Sequence, residues 1–481
     1  FTWAVTPWSN SSQPPTRVQG SATSPVRVSD PVTGVPIQPG AYPLREGDRI
    51  AVLKYNALHR PQRWDVIVFK MPEGPRENYI KRLIGLPNED LWLVDGDVFV
   101  RPSPSSDSGA PHESGEWRIA RKPAYIQNSV WWTIHSSEFT PVKNDFDGVP
   151  WRSPWQGEGW THDAHGVLRA DAASPAPLTW DASAWPITDF TPYNQVTPWA
   201  PNRRETTPRT IVYPTSDLRV RAGVDAPYGA VATFRIEARN HVFEATLAPY
   251  EATISMRPLA ADAGEPNVLV RAHFDGFTEG RVVDVEFIHA DQALELRVDG
   301  RTLARAEYDW SPLERLRHAT VLTDEQLDAV LANPGDTRLT NKPNSLGVYT
   351  MPSVSIQIAG GPATLHRVGL DRDLYYQPAE HYTGPNHSRP GLGAHPLTAA
   401  SMGEGEYFAA GDNSGNSRDS RLWDVVNPWV EGLTGVDVGL VPHDLLMGEA
   451  VLVFWPAPNT LHLGPLRIPF VPDVGRVRLI K

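Results

Sequence analysis

Cysteine is absent from the 481 residues. That removes disulfides and thiolate metal sites, and it fits either a reducing compartment or an exported protein that needs no covalent staple. A basic excess is missing too. The 44 Lys and Arg stand against 56 Asp and Glu, a net charge of -12, and no basic block occurs, so no cationic face is on offer for phosphates and no nucleic-acid partner is expected. No run approaches the roughly 18 apolar residues of a membrane span. The first residues lack the charged start and apolar core of a signal peptide. The chain opens on Phe1 rather than on methionine, and we expect a processed or trimmed product whose membrane anchor preceded it.

Proline and glycine, by contrast, are plentiful at 47 and 37 residues, and few segments hold a 3.6-residue apolar period for long, so a mainly β chain is expected. Its length and 40% hydrophobic content allow two to four domains, each with its own core. Residues 1–43, rich in Ser, Thr, Pro and Gly, suit an extended arm. From 44 to 116 short β runs at 49–55, 65–71, 79–84, 91–94 and 98–100 alternate with turn formers and predict an antiparallel unit.

A different texture fills 117–381. Nine of the 17 tryptophans lie between 117 and 199, where they either pin Pro-rich loops onto a sheet or, if exposed, stack on sugars. From about 210 to 375 regularly spaced strands predict a β-sandwich, and residues 311–332 permit one or two short helices. The hairpin at 282–300 resembles the late strands of concanavalin-like or laminin-G-like jelly rolls, without an Asp/Asn cluster spaced like their calcium sites. The first texture returns over 382–481. The simplest organisation is therefore a β core interrupted by a large β-sandwich insert.

Two stretches carry chemistry. On an alternating strand Tyr79, Lys81 and Leu83 share one face, which sets the Lys81 amine among apolar groups where desolvation favours its neutral form, a usable general base. The plainer reading is a lysine at a strand edge that reaches out to water. The loop 411–421 holds Gly411, Asp412, Asn413 and Ser417, then Asp419 flanked by Arg418 and Arg421. Alone it is a rigid turn; joined to Lys81 it supplies a hydroxyl to orient an amine and an ion pair to fix the loop.

Four boxes in order resemble the signatures of type I signal peptidases: 47–54 (Gly-Asp-Arg-Ile-Ala-Val-Leu-Lys), 63–69 (Arg-Trp-Asp-Val-Ile-Val-Phe), 79–87 (Tyr-Ile-Lys-Arg-Leu-Ile-Gly-Leu-Pro), and the Gly-Asp-Asn loop with Ser417, Asp419 and Arg421. The resemblance covers about 44–100 and 405–481. It implies a membrane-bound serine endopeptidase with a Ser-Lys dyad and no cofactor or metal, anchored in the membrane with its catalytic part extracytoplasmic, acting on preproteins that carry signal peptides. Carried over residue by residue, Lys81 is the general base and Ser417 orients it. Asp419 and Arg421 support the loop, with Gly411, Asp412 and Asn413 beside them, and Tyr79 and Ile80 border the substrate pockets.

One part does not match. The family's nucleophile falls about eight residues before the Gly-Asp pair, which here is Pro39, and proline cannot attack a carbonyl. Three explanations stay open: a serine upstream of Phe1, Ser12 in a Ser-x-x-Pro-Thr frame, or a homologue without a nucleophile that serves as a glycan- or protein-binding module through its insert.

Overall fold

A computed structural model of the chain describes residues 47–103, 117–140, 151–163, 165–171, 175–183, 185–191, 193–194, 213–260, 264–340, 345–384, 387–456 and 474–481, together with short strands at 28–29, 36–37, 145–146, 149–150, 459–463 and 466–471. It is mainly β, with every named sheet built from antiparallel neighbours. Ser12 and Pro39 lie outside the described residues.

The core is assembled from both ends of the chain. One sheet runs in the order Arg49–Leu53, Leu446–Trp455, Val66–Lys70, Asn78–Gly85, Glu406–Ala410 and Val441–Pro442, with Arg478–Leu479 beside the second strand. A smaller sheet orders Ala400–Ser401, Glu89–Val94, Asp97–Pro102 and Arg118–Ile119. Alternation along the first sheet divides its apolar residues between two clusters. Ile84, Phe408 and Ala410 face Leu91, Leu93, Val98 and Val100 of the smaller sheet, and the opposite face carries Ile67, Phe69, Leu83 and Ala409 against Trp423.

The insert is a sandwich of a seven-stranded and an eight-stranded sheet. Its alternation is regular: in Val231–Ala238 the residues Ala232, Phe234, Ile236 and Ala238 are buried and their neighbours only partly so. Each large apolar side chain driven inward contributes on the order of 1.5–3 kcal/mol. The expected hairpin is present as Val283–Ala290 and Ala293–Val298. Two short helices, Pro312–Ala319 and Asp324–Leu331, each start with a complete capping box, Ser311 with Glu314 and Thr323 with Gln326.

Two expectations shift. The tryptophan-rich stretch does pin loops, through the buried Trp160 and Trp185, but among its described residues it also supplies strands. Trp155–Gln156 and Leu178–Trp180 extend one sheet of the sandwich, and Thr161–His162, Leu168–Ala170 and Trp132–Ser136 extend the other. Trp155, Trp160, Trp180 and Trp185 are buried in the sandwich core, so these four offer no face to a sugar. The boundaries at 117 and 381 also move. Arg118–Ile119 pairs with the core strand Asp97–Pro102, and Ile126 and Val130 of the helix Ala124–Val130 fill the core's apolar cluster. At the far end Leu374 and Tyr376 already belong to that cluster. As a packed unit, the sandwich therefore runs from about 132 to 372.

Candidate active site

Pairing across the first core sheet builds the site. Lys81 lies on the strand Asn78–Gly85, opposite Ile67 on one side, and on the other Arg82 pairs with Ala410, the last residue of Glu406–Ala410. The loop 411–421 leaves the sheet directly after that residue, so Gly411 emerges beside Lys81. Two segments more than 300 residues apart are thereby joined: Lys81 Nζ donates to Ser417 Oγ at 2.7 Å with a sequence separation of 336.

Lys81 is not an edge lysine reaching for solvent, since only 6% of it is exposed. Burial pushes its amine below the ordinary lysine range; Asp419 opposes that shift and Arg421 reinforces it. The net direction favours the neutral amine. The Tyr79 ring centroid lies 5.5 Å from Lys81 Nζ, while Ile80, 48% exposed, is the adjacent apolar surface.

The loop is held by charge. Asp419 is fully buried and receives Arg421 through Nε at 2.8 Å and Nη2 at 2.7 Å; its Oδ2 also accepts the Gly411 amide at 2.9 Å. Burial alone would raise its carboxyl, but Arg421, Lys81 and the amide together hold it below the usual carboxylate range. Gly411 is required by close approach: a Cβ there would fall inside the Ser417 side chain, 2.8 Å from Ser417 Cβ and 3.4 Å from Lys81 Nζ. Asp412 forms a bidentate pair with Arg82, both contacts at 2.8 Å, and Arg82 also donates to the Trp64 carbonyl. Asn413 stands at the head of the 3-10 turn Ser414–Asn416 without capping it.

Lys81, Ser417, Asp419, Arg421, Gly411 and Asp412 are thus brought together. Three contributors were not singled out from sequence. Arg82 follows Lys81 directly and its partner Asp412 lies in the Gly-Asp-Asn loop, so adjacency in the two motifs is the signal for that pair. Ser414 receives Arg421 Nη1 at 2.5 Å and the Gln377 amide at 2.7 Å, and Gln377 belongs to no motif.

The described residues also gather Asp97, Asp217 and Asp291 closely enough to invite a metal. Each already faces a cation: Asp97 pairs with Arg315, Asp217 with Arg239 at 2.6 Å, and Asp291 with Lys122 at 2.5 Å. Arg239 and Arg315 also reach Asp95, at 2.7 and 2.9 Å. The cluster is a charge-paired joint between core and insert, and its oxygens do not suit a cation centre.

The segments that form the core are similar to the signal peptidase family: the model for "Signal peptidase, peptidase S26" matches residues 35–130 and 365–455, leaving the sandwich between them. Signal peptidase I of Pseudomonas fluorescens is 40% identical over 79 residues, 16% of this chain and 23% of that protein. Signal peptidase I of Rickettsia typhi is 38% identical over 60 residues, 12% of this chain and 23% of that protein. The chain therefore spans under a quarter of the length of these curated relatives. Among solved structures, a carbohydrate-binding module of Bacillus subtilis covers 46% of this chain and 96% of its own at 8% identity and a TM-score of 0.24. Bacillus licheniformis beta-glucanase gives 46%, 91%, 8% and 0.24. At that score the likeness carries no argument about what the insert binds.

Proposed function

We propose that this chain is the extracytoplasmic part of a signal peptidase I-type serine endopeptidase that removes signal peptides from exported preproteins, anchored to the membrane through a segment outside it. The observation that supports this best is the buried Lys81 amine at 2.7 Å from the Ser417 hydroxyl, in a loop fixed by the Asp419–Arg421 pair.

In this reading neutral Lys81 takes the proton of a serine hydroxyl as that oxygen bonds to the scissile carbonyl carbon. The C–N bond then breaks and the lysine returns the proton to the leaving amine. Water, deprotonated by the same lysine, cleaves the resulting ester and frees the serine. Ser417 keeps the amine aimed and is not itself the nucleophile. The attacking serine lies outside the described residues, as Ser12 or as a serine before Phe1, and Tyr79 and Ile80 border the side chains of the cleaved peptide.

The test uses the full-length membrane protein and a radiolabelled presequence. Lys81→Ala should abolish cleavage, and turnover near that of the wild type would overturn the assignment. Loss of cleavage in Ser12→Ala would place the nucleophile in the arm, whereas unaltered cleavage would place it upstream. Glycan or exported-chain binding by the insert, with no cleavage in the wild type, would favour the binding-module reading instead.

A further inference from the structure

The catalytic loop does not stand on the core alone. Gln377, buried in the segment that returns from the sandwich, holds it through two main-chain hydrogen bonds. Its main-chain N–H donates to Ser414 Oγ at 2.7 Å and its main-chain carbonyl accepts Arg421 Nη1 at 2.9 Å, while its side chain packs so near Gly415 that a Cβ there would come within 2.9 Å of Nε2. Arg421 in turn holds Asp419, which sits behind Lys81 and Gly411.

The Gln377 side chain is gripped from the opposite direction. Its Nε2 donates to Asp189 Oδ2, and the other oxygen of that carboxylate accepts the Tyr213 amide at 2.7 Å. Asp189 lies two residues after Ile187, a residue of the sandwich core, and its own main-chain N–H donates to the Tyr213 carbonyl at 3.0 Å. Residues 213–217 lead straight into the sandwich strand Leu218–Asp225. A continuous polar path thus runs from the insert through Asp189 and Gln377 to Ser414, Arg421 and Asp419, and ends beside Lys81.

We infer that Gln377, clamped by Asp189 of the insert, is a positioning residue for the Lys81–Ser417 pair, so that the sandwich is part of the machinery that sets the reaction geometry. The pair rests on the proposed peptidase reading only for its catalytic meaning; the mechanical claim concerns Lys81 and its loop. A residue that fixes a loop at two points limits how far Ser417 strays from the amine, and misplacement on the scale of 1 Å is enough to cost about a hundredfold in rate.

The experiment has two readouts. The chain has only seven lysines, so lysine-selective carbon-13 labelling resolves Lys81, and its titration can be followed by NMR in the 481-residue chain. Gln377→Met keeps the volume but removes the donor; Asp189→Ala removes the acceptor, and Asp189→Asn retains one. With the clamp lost the loop opens and water reaches Lys81, so its midpoint should rise towards that of an ordinary lysine in Gln377→Met and Asp189→Ala, and return close to wild type in Asp189→Asn. In the full-length protein the first two should cleave presequence about tenfold or more slowly through kcat, with KM little changed. Lys81 titrating as in the wild type in both Gln377→Met and Asp189→Ala, each shown to be folded by its thermal transition, overturns the inference. If the wild-type protein cleaves nothing, the peptidase reading fails and the titration still decides the clamp.

Discussion

Gly411→Ala adds one methyl group at the point where Lys81, Ser417 and Asp419 meet. The new carbon would overlap Ser417 Oγ, lie 2.8 Å from Ser417 Cβ and stand 3.4 Å from Lys81 Nζ. Gly411 cannot retreat, because its amide is held by the buried Asp419 carboxylate at 2.9 Å. Ser417 therefore has to yield and its 2.7 Å contact with the amine is lost. Overpacking of this kind costs about 1–3 kcal/mol of stability, and on the proposed peptidase reading displacing the orienting hydroxyl should lower cleavage by about a hundredfold. Denaturant melts and presequence cleavage by the full-length protein measure the two effects. The Gly411→Ala/Ser417→Gly pair separates them, since removing both Oγ and Cβ relieves the overlap: stability should exceed the sum of the two single effects while cleavage stays low, a non-additive cycle expected of residues in contact. Gly411→Ala with wild-type stability and wild-type cleavage would refute the geometry from which all of this is worked.

Lys81→Met should keep the fold while ending cleavage. Because the folded amine titrates below the unfolded one, the unfolded chain binds more protons between those two pKa values, so Lys81 makes stability rise with pH across that window, and Lys81→Met should remove this rise in melts from neutral to alkaline pH. His135 is buried in the insert and its imidazole is pushed down from 6.5 to about 3. Between those values the unfolded chain holds the extra proton, so stability is lost as pH falls from 6.5 towards 3, at up to about 1.4 kcal/mol per pH unit. His135→Met should flatten that slope in tryptophan-fluorescence melts. Arg315→Met strands Asp97 without its buried partner, leaves Asp95 to Arg239 alone, and should cost about 3–5 kcal/mol by urea unfolding, part of it restored by adding Asp97→Asn.

What the sequence made legible follows from range. Lys81 and the loop 411–421 are each contiguous, with strong local character, so an apolar strand around a lysine and a turn dense in Gly, Asp and Ser can be recognised without a structure. The hairpin at 282–300 and the capped helices are likewise local. The Trp-rich stretch misled because strands of two or three residues, such as Trp155–Gln156 and Leu178–Trp180, are too short to show a period of two. Leu178–Trp180 pairs with the long strand Ser353–Ala359 and in turn gives Trp155–Gln156 its edge, as Ala363–Arg372 does for Leu168–Ala170. Gln377 and Asp189 were invisible for a related reason: each is an ordinary polar residue, and their meaning arises from a contact across 188 positions.

The insert's placement explains how a core can be split by some 240 residues and still close. Its first strand, Trp132–Ser136, pairs antiparallel with its last, Ala363–Arg372, and Trp132 stands opposite Arg372. Entry and exit are therefore adjacent, about 5 Å apart at Cα as in any ladder pair, so the core meets the insert as a short connection between Val130 and Asp373 and not as a long loop whose closure opposes folding. The joint beneath that connection is charged throughout, with Asp95 and Asp97 on the core turn, Arg239, Asp217 and Asp291 on the sandwich, and Lys122 bridging Asp291 and Asp373 at 2.5 and 2.9 Å. Ion pairs buried in this way contribute little net stability, but losing one partner of a pair is costly, which opposes any shift of insert against core. The joint and the Asp189–Gln377 contact both span core and insert, so in the positioning proposed for Gln377 the seating of the insert bears on the aim of Lys81.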